Sequence, residues 1–179
     1  SLFQSVTLRT AGFASFNQDA LTEASKLLSN ILMFVGGSSG STAGGVKTVT
    51  MGLVVLSAVS TMRGRRQVTV FRRSISQQDI SNAVSVALLV LGLSLFGAAV
   101  LTVCDRCSFL NAIYETTSAL CTVGLTTGIT GTLCAASKLI LIVFMFFGRV
   151  GIMTIGVGFM MGDRARERVQ YAETKVMIG

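Results

Sequence analysis

From Ile80 to Val103 the chain carries no charged residue, and no other feature restricts its fold as much as that run. Coiled as a helix it reaches about 36 Å, enough to cross a hydrocarbon core of about 30 Å. Composition agrees: 51% of residues are hydrophobic and 13% are charged, where an ordinary globular domain carries roughly 25% charged residues. The mean hydropathy is +0.70. The sequence predicts an all-α integral membrane protein.

Other apolar stretches are less regular. Leu133–Met161 is long enough to cross but holds Lys138 near one end and Arg149 in its middle. Leu21–Met62 is interrupted, with apolar residues at Leu27–Val35 and Val46–Met62 and a polar, glycine-rich break at Gly36–Lys47. Ser1–Leu8 and Ser108–Cys121 are too short to cross, and each runs into a Thr-x-Gly tripeptide. Such pieces predict a dip into the membrane that returns to the same side. Charge sets the orientation. Of the 15 Lys and Arg residues, Arg63, Arg65, Arg66, Arg72 and Arg73 fall in one stretch, and Arg164, Arg166, Arg168 and Lys175 fall in the tail. Both clusters flank apolar runs, which predicts that loop 63–79 and the C-terminus are cytoplasmic and the Thr-x-Gly pieces lie toward the outside. The net charge of +7 would also suit nucleic acid, but few aromatics interleave with these charges. A lipid bilayer is the expected partner, and nucleic acid is not.

Several chemistries are excluded. Without histidine there is neither a Ser-His-Asp triad nor an ordinary histidine metal site, and no acid–base constellation suggests an enzyme. The four cysteines make no disulfide framework; Cys104 and Cys107 read as neighbours in a short polar break. The chain has no initiator Met and no signal-peptide pattern, so it is expected to be a fragment lacking its N-terminal part.

An internal repeat organises the remainder. With Gly12 laid over Gly124, Thr10 meets Thr122 and Ala24-Ser25-Lys26-Leu27 meets Ala136-Ser137-Lys138-Leu139, without a gap. Met33 then meets Met145, Phe34 meets Phe146, Gly36 meets Gly148, Thr42 meets Thr154 and Gly44 meets Gly156. The repeated unit is a re-entrant loop followed by a spanning helix. Its loops read Thr10-Ala11-Gly12-Phe13 and Thr122-Val123-Gly124-Leu125. A potassium site replaces the ion's water shell with backbone carbonyls and hydroxyls turned to one axis. Glycine permits the backbone angles this needs, and a short preceding helix aims its negative end at the cavity. Two loops do not close a fourfold ring, so two more are expected from elsewhere.

The break reads Gly36-Gly37-Ser38-Ser39-Gly40-Ser41-Thr42-Ala43-Gly44-Gly45-Val46-Lys47. Backbone so rich in glycine and hydroxyls must line protein or a water-filled cavity rather than lipid. It is not a phosphate-binding loop, because Val46 separates Gly45 from Lys47. Glycines spaced at four also suit close helix packing. Arg149 matches Gly37 in the repeat, and a mid-membrane guanidinium should face water, carbonyls or a carboxylate. Two roles fit it: a positive charge lining a pore below the loops, or a brace bonded to loop carbonyls. Lys26 and Lys138 are expected to snorkel to the outer interface, and Glu115 to be a polar residue within a pore helix.

Together, S-V-T-L-R-T-A-G-F, G-G-S-S-G-S-T-A-G-G-V-K, Y-E-T-T-S-A-L-C-T-V-G-L-T and G-R-V-G-I-M-T resemble the Trk/Ktr/HKT superfamily, most closely its Ktr-type potassium-translocating subunits. The resemblance covers nearly the whole chain. It implies M1–pore loop–M2 repeats around a pseudo-fourfold pore. Residues 1–62 would be the third repeat, 63–79 a cytoplasmic basic loop, 80–162 the fourth repeat and 163–179 a cytoplasmic tail. It implies that Gly12 and Gly124 are filter glycines, that Gly36–Lys47 is an intramembrane loop that occludes the pore, and that Arg149 is the basic residue below the filter. Potassium would be the transported ion, with sodium a further candidate. The protein would act as a homodimer in the bacterial inner (plasma) membrane, on a cytosolic RCK-type regulatory ring that supplies any nucleotide. Each loop has one glycine where true potassium channels have G-Y-G, which implies fewer well-formed sites. The rival expectation is a secondary transporter whose broken helix at 36–47 binds substrate.

Overall fold

The computed structural model describes residues 2–38, 44–64, 68–70 and 73–151. Over these the protein is helical, in the order α1 Leu2–Thr7, α2 Glu23–Phe34, α3 Thr48–Met62, α4 Gln77–Asp105, α5 Phe109–Leu120 and α6 Ala135–Val150. Single 3-10 turns lie at Gln18–Ala20 and Ile129–Gly131. The basic loop adds a small feature that the sequence did not suggest, an antiparallel pairing of β1 Thr69–Val70 with β2 Arg73–Ser74.

Local chemistry sets the helix ends. Thr22 caps α2 by accepting a hydrogen bond from the Ser25 amide, and Ser76 caps α4 by accepting from Gln78. Each satisfies an amide that the first turn would otherwise orphan. Cys134 caps α6, and the Asp105 carboxylate reinforces that end by accepting from the Cys134 amide at 2.7 Å and from the Ser137 hydroxyl. Because Asp105 closes α4, this contact joins the C-terminal end of α4 to the N-terminal end of α6. Between them Arg106 takes a left-handed turn, φ 50°.

Among the described residues α4 alone is long and apolar enough to cross a membrane unaided, with 29 residues and a hydropathy of 2.5. The Leu21–Met62 stretch divides into α2 and α3 on either side of the glycine-rich break. The Leu133–Met161 stretch appears as α6, and from Ile152 onward it lies outside the described residues, as does the whole tail.

At the centre stands α5, which packs on α2, α4 and α6. Every residue from Tyr114 to Leu120 is buried, although this helix is short and only moderately apolar. The longer helices supply one face each: α4 turns Val90, Ser94, Gly97, Ala98 and Leu101 inward, and α6 turns Ser137, Leu141, Phe144 and Gly148 inward. Those spacings of three and four mark one helical face. The opposite faces stay apolar and exposed, for example Leu88 and Phe96 on α4 and Ile142 and Phe146 on α6. An exposed surface of that kind suits lipid or further protein rather than water.

Candidate functional site

The two Thr-x-Gly loops share a backbone path. Thr10 and Thr122 are left-handed at φ 65° and 54°, Gly12 and Gly124 at 74° and 88°, and neither Ala11 nor Val123 is. Reversing the handedness of every second residue brings onto one side carbonyls that an extended chain would alternate. For a β-branched threonine this conformation is strained, and it persists only where the surroundings over-determine it.

Each short helix provides that restraint. The amides of Ala11 and Gly12 both donate to the Thr7 carbonyl, and that of Val123 donates to Ser118. Hydroxyls complete the hold: Thr7 donates to the Phe13 carbonyl at 2.7 Å, and Ser118 to the Leu125 carbonyl at 2.6 Å. Phe13 and Leu125 are equivalent in the repeat, while the two donors sit one position out of register. The Phe13 and Leu125 carbonyls are thereby drawn back toward the helices. The carbonyls from Thr10 to Gly12 and from Thr122 to Gly124 accept no hydrogen bond from any described residue.

The loops also meet one another. A methyl at Gly12 would overlap the Val123 carbonyl, and the nearest atom to one at Gly124 would be the Gly12 Cα, at 4.0 Å. The structure thus places the two glycines singled out from the sequence side by side.

The glycine-rich break is organised at its neck. Val35 and Val46 form an isolated parallel bridge, Gly36 donates to the Val46 carbonyl at 2.9 Å, and Thr48 donates to that of Gly37 at 3.2 Å. The returning limb rests against the second loop. Gly44 donates its amide to Thr122 Oγ1 at 3.0 Å. A side chain at Gly44 would strike the Thr122 side chain, and one at Gly148 on α6 would strike the Leu120 carbonyl. Ser38 is exposed and Lys47 half-buried at the start of α3. Residues Ser39, Gly40, Ser41, Thr42 and Ala43 lie outside the described residues. Arg149 is exposed in the last turn of α6, next to Gly148 and so close in sequence to the level of Thr122. A cation there suits the negative end of the helix.

Three polar side chains brace the loops: Gln18, which sequence reasoning passed over, and Lys26 and Glu115, to which it gave other roles. Lys26, expected at an outer interface, is 9% exposed: it pairs with Asp19 at 3.0 Å and donates to Asn111 Oδ1 at 3.0 Å, tying α2 to α5. Its repeat partner Lys138 is exposed and donates to the Gly131 carbonyl. Gln18, 1% exposed, accepts from Gln4 at 2.7 Å and from the Tyr114 hydroxyl at 3.3 Å. Glu115, 5% exposed, accepts from Thr126, Thr127 and Thr130. No sequence signal marked Gln18. For Glu115 the signal was an acid in a short helix followed by a threonine-rich segment. Cys104, Cys107, Cys121 and Cys134 are free thiols.

Paired Thr-x-Gly loops, each following a short helix, beside an apolar helix of membrane-crossing length, have the make-up of a membrane protein. The chain belongs to the TrkH family of cation transport proteins, whose family model matches residues 1–166. It is 37% identical over 179 residues to the Ktr system potassium uptake protein B of Bacillus subtilis (strain 168), and 36% identical over 184 residues to the potassium/sodium uptake protein NtpJ of Enterococcus hirae. It is 30% identical over 179 residues to the Ktr system potassium uptake protein B of Vibrio alginolyticus. All three matches take in 100% of this chain but only 40%, 41% and 39% of the relatives.

Proposed function

We propose that this chain supplies the third and fourth repeats of a potassium-translocating subunit of the Trk/Ktr type, taking up potassium across the bacterial plasma membrane. What carries the proposal is the pair of loops, left-handed at matching positions and abutting at Gly12 and Gly124. The potassium and potassium/sodium uptake proteins among its relatives support the choice of ion. Carbonyls of Thr10–Gly12 and Thr122–Gly124 would replace part of the ion's water shell, with the remaining ligands coming from two further repeats in a pseudo-fourfold ring. Sodium is the second ion to test.

In the same proposal Gly36–Lys47 occludes the pore below the filter and Arg149 adds a positive charge there. The bond from Gly44 to Thr122 supports a link between this loop and the filter. The subunit would work as a homodimer on a cytosolic RCK-type ring, with loop 63–79 and the tail facing that ring and nucleotide acting only through it.

The test is rubidium and sodium uptake by the full-length parent in potassium-uptake-deficient cells, beside Gly124→Ser and a deletion of Ser39–Ala43. The proposal expects rubidium uptake, a reduced rubidium-over-sodium preference in Gly124→Ser, and faster flux in the deletion. Unchanged uptake in Gly124→Ser would make the Thr-x-Gly loops packing turns. Loss of flux in the deletion would favour a secondary transporter with its substrate site at the break.

A further inference from the structure

Glu115 is the acid that the mechanism above does not use. It sits in the buried face of α5, and three groups converge on its Oε1: the Thr126 hydroxyl at 2.5 Å, the Thr127 amide at 2.9 Å and the Thr127 hydroxyl at 3.2 Å. Oε2 accepts from the Thr130 hydroxyl at 3.0 Å. A buried carboxylate is tolerated only when donors satisfy it, and among the described residues the donors here are neutral. All of them belong to the segment that leaves the second loop directly after Leu125. With Ser118 holding the Leu125 carbonyl, α5 grips that segment at both ends. Glu115 and Ser118 line one cavity of about 430 Å³ together with Thr122, Gly124, Thr126 and Thr130. The first loop has no carboxylate at the matching position, where the repeat partner of Glu115 is the exposed Phe3; there the buried Gln18, which donates to the Phe16 carbonyl, takes the bracing role.

We infer that Glu115 is a positioning residue for ion preference: by accepting from Thr126, Thr127 and Thr130 it holds the outer limb of the second loop, and through it the carbonyls from Thr122 to Gly124. This rests on the proposed ion-conducting role. A donor set left facing an empty acceptor lets the limb move, and a loop free to move accommodates ions of different radius alike. Hydrogen-bond acceptance, not charge, is the working property. Glu115→Gln keeps an oxygen for Thr126 and Thr127, and its amide can donate to the Thr130 hydroxyl.

The experiment compares the full-length parent with Glu115→Ala, Glu115→Gln and Thr130→Val, reading KM and maximal rate for rubidium and for sodium uptake alongside the amount of protein in the membrane. Glu115→Ala is expected to lower the rubidium-over-sodium ratio of rate to KM at least tenfold, about 1.4 kcal/mol. Glu115→Gln is expected to stay within about threefold of the parent. Should Glu115→Ala fail to reach the membrane, Thr130→Val, which removes a single donor, is expected to lower the ratio severalfold. An unchanged ratio in Glu115→Ala or, in its place, Thr130→Val would overturn the inference, as would a Glu115→Gln as impaired as Glu115→Ala. A parent that takes up neither ion would instead remove the proposed function on which this rests.

Discussion

A methyl added at Gly12 would meet the Val123 carbonyl on a backbone already left-handed at 74°, so an alanine there is opposed twice. At Gly124 the backbone is as left-handed, but the space beside it is open as far as the Gly12 Cα. The left-handed conformation alone costs a side chain roughly 1–2 kcal/mol. Gly12→Ala is therefore expected to abolish rubidium uptake and Gly124→Ala to lower it in part, measured side by side at equal membrane abundance. Equal effects would mean that conformation, rather than contact between the loops, decides. The two glycines were legible in the sequence because the repeat aligned them. Their contact was not, since nothing in a linear repeat states how its copies face each other. Nor was the capture of the Phe13 and Leu125 carbonyls by Thr7 and Ser118, whose positions do not match in the alignment.

Among the elements, the tie between α2 and α5 is the one that breaks most cleanly. Lys26→Met keeps an apolar stem of similar length but removes the bonds to Asp19 and Asn111. The expected loss is about 1–2 kcal/mol, seen as a lower midpoint of thermal unfolding in detergent, while Lys138→Met changes it little because that side chain is exposed. A second weak point is the crossing of α4, α5 and α6, where Gly97 leaves room for the Phe144 ring beside Thr116. Gly97→Ala is expected to cost roughly 1–3 kcal/mol by overpacking, read from the same melt. Element identity was well signalled: the uncharged run became α4, and the glycine-rich break separated α2 from α3. The ties of Lys26 were not legible, because sequence shows a lysine near a helix end but not the Asn111 carboxamide, 85 positions away, that it reaches.

For the molecule as a whole, the outward faces of α4 and α6 expose leucine, isoleucine and phenylalanine that water would not tolerate in such number. If the basic loop is cytoplasmic, the outer ends of α4 and α6 face the medium. A membrane-impermeant maleimide is then expected to label the exposed Cys134 in intact cells and to spare the buried Cys121. Labelling of Cys134 only after lysis would invert the orientation. On the proposed fourfold arrangement, this chain reconstituted alone in liposomes is expected to pass no rubidium, because two loops would leave half of the ring open. The Ala-Ser-Lys-Leu shared by both repeats carries a final consequence. Each copy has the same lysine, yet Lys26 is an interior tie and Lys138 a surface residue. The outer limb is held by a glutamine network in one copy and by a carboxylate in the other. The two halves are specialised parts rather than spares, so a protein carrying the second half twice would have two surface lysines and no tie.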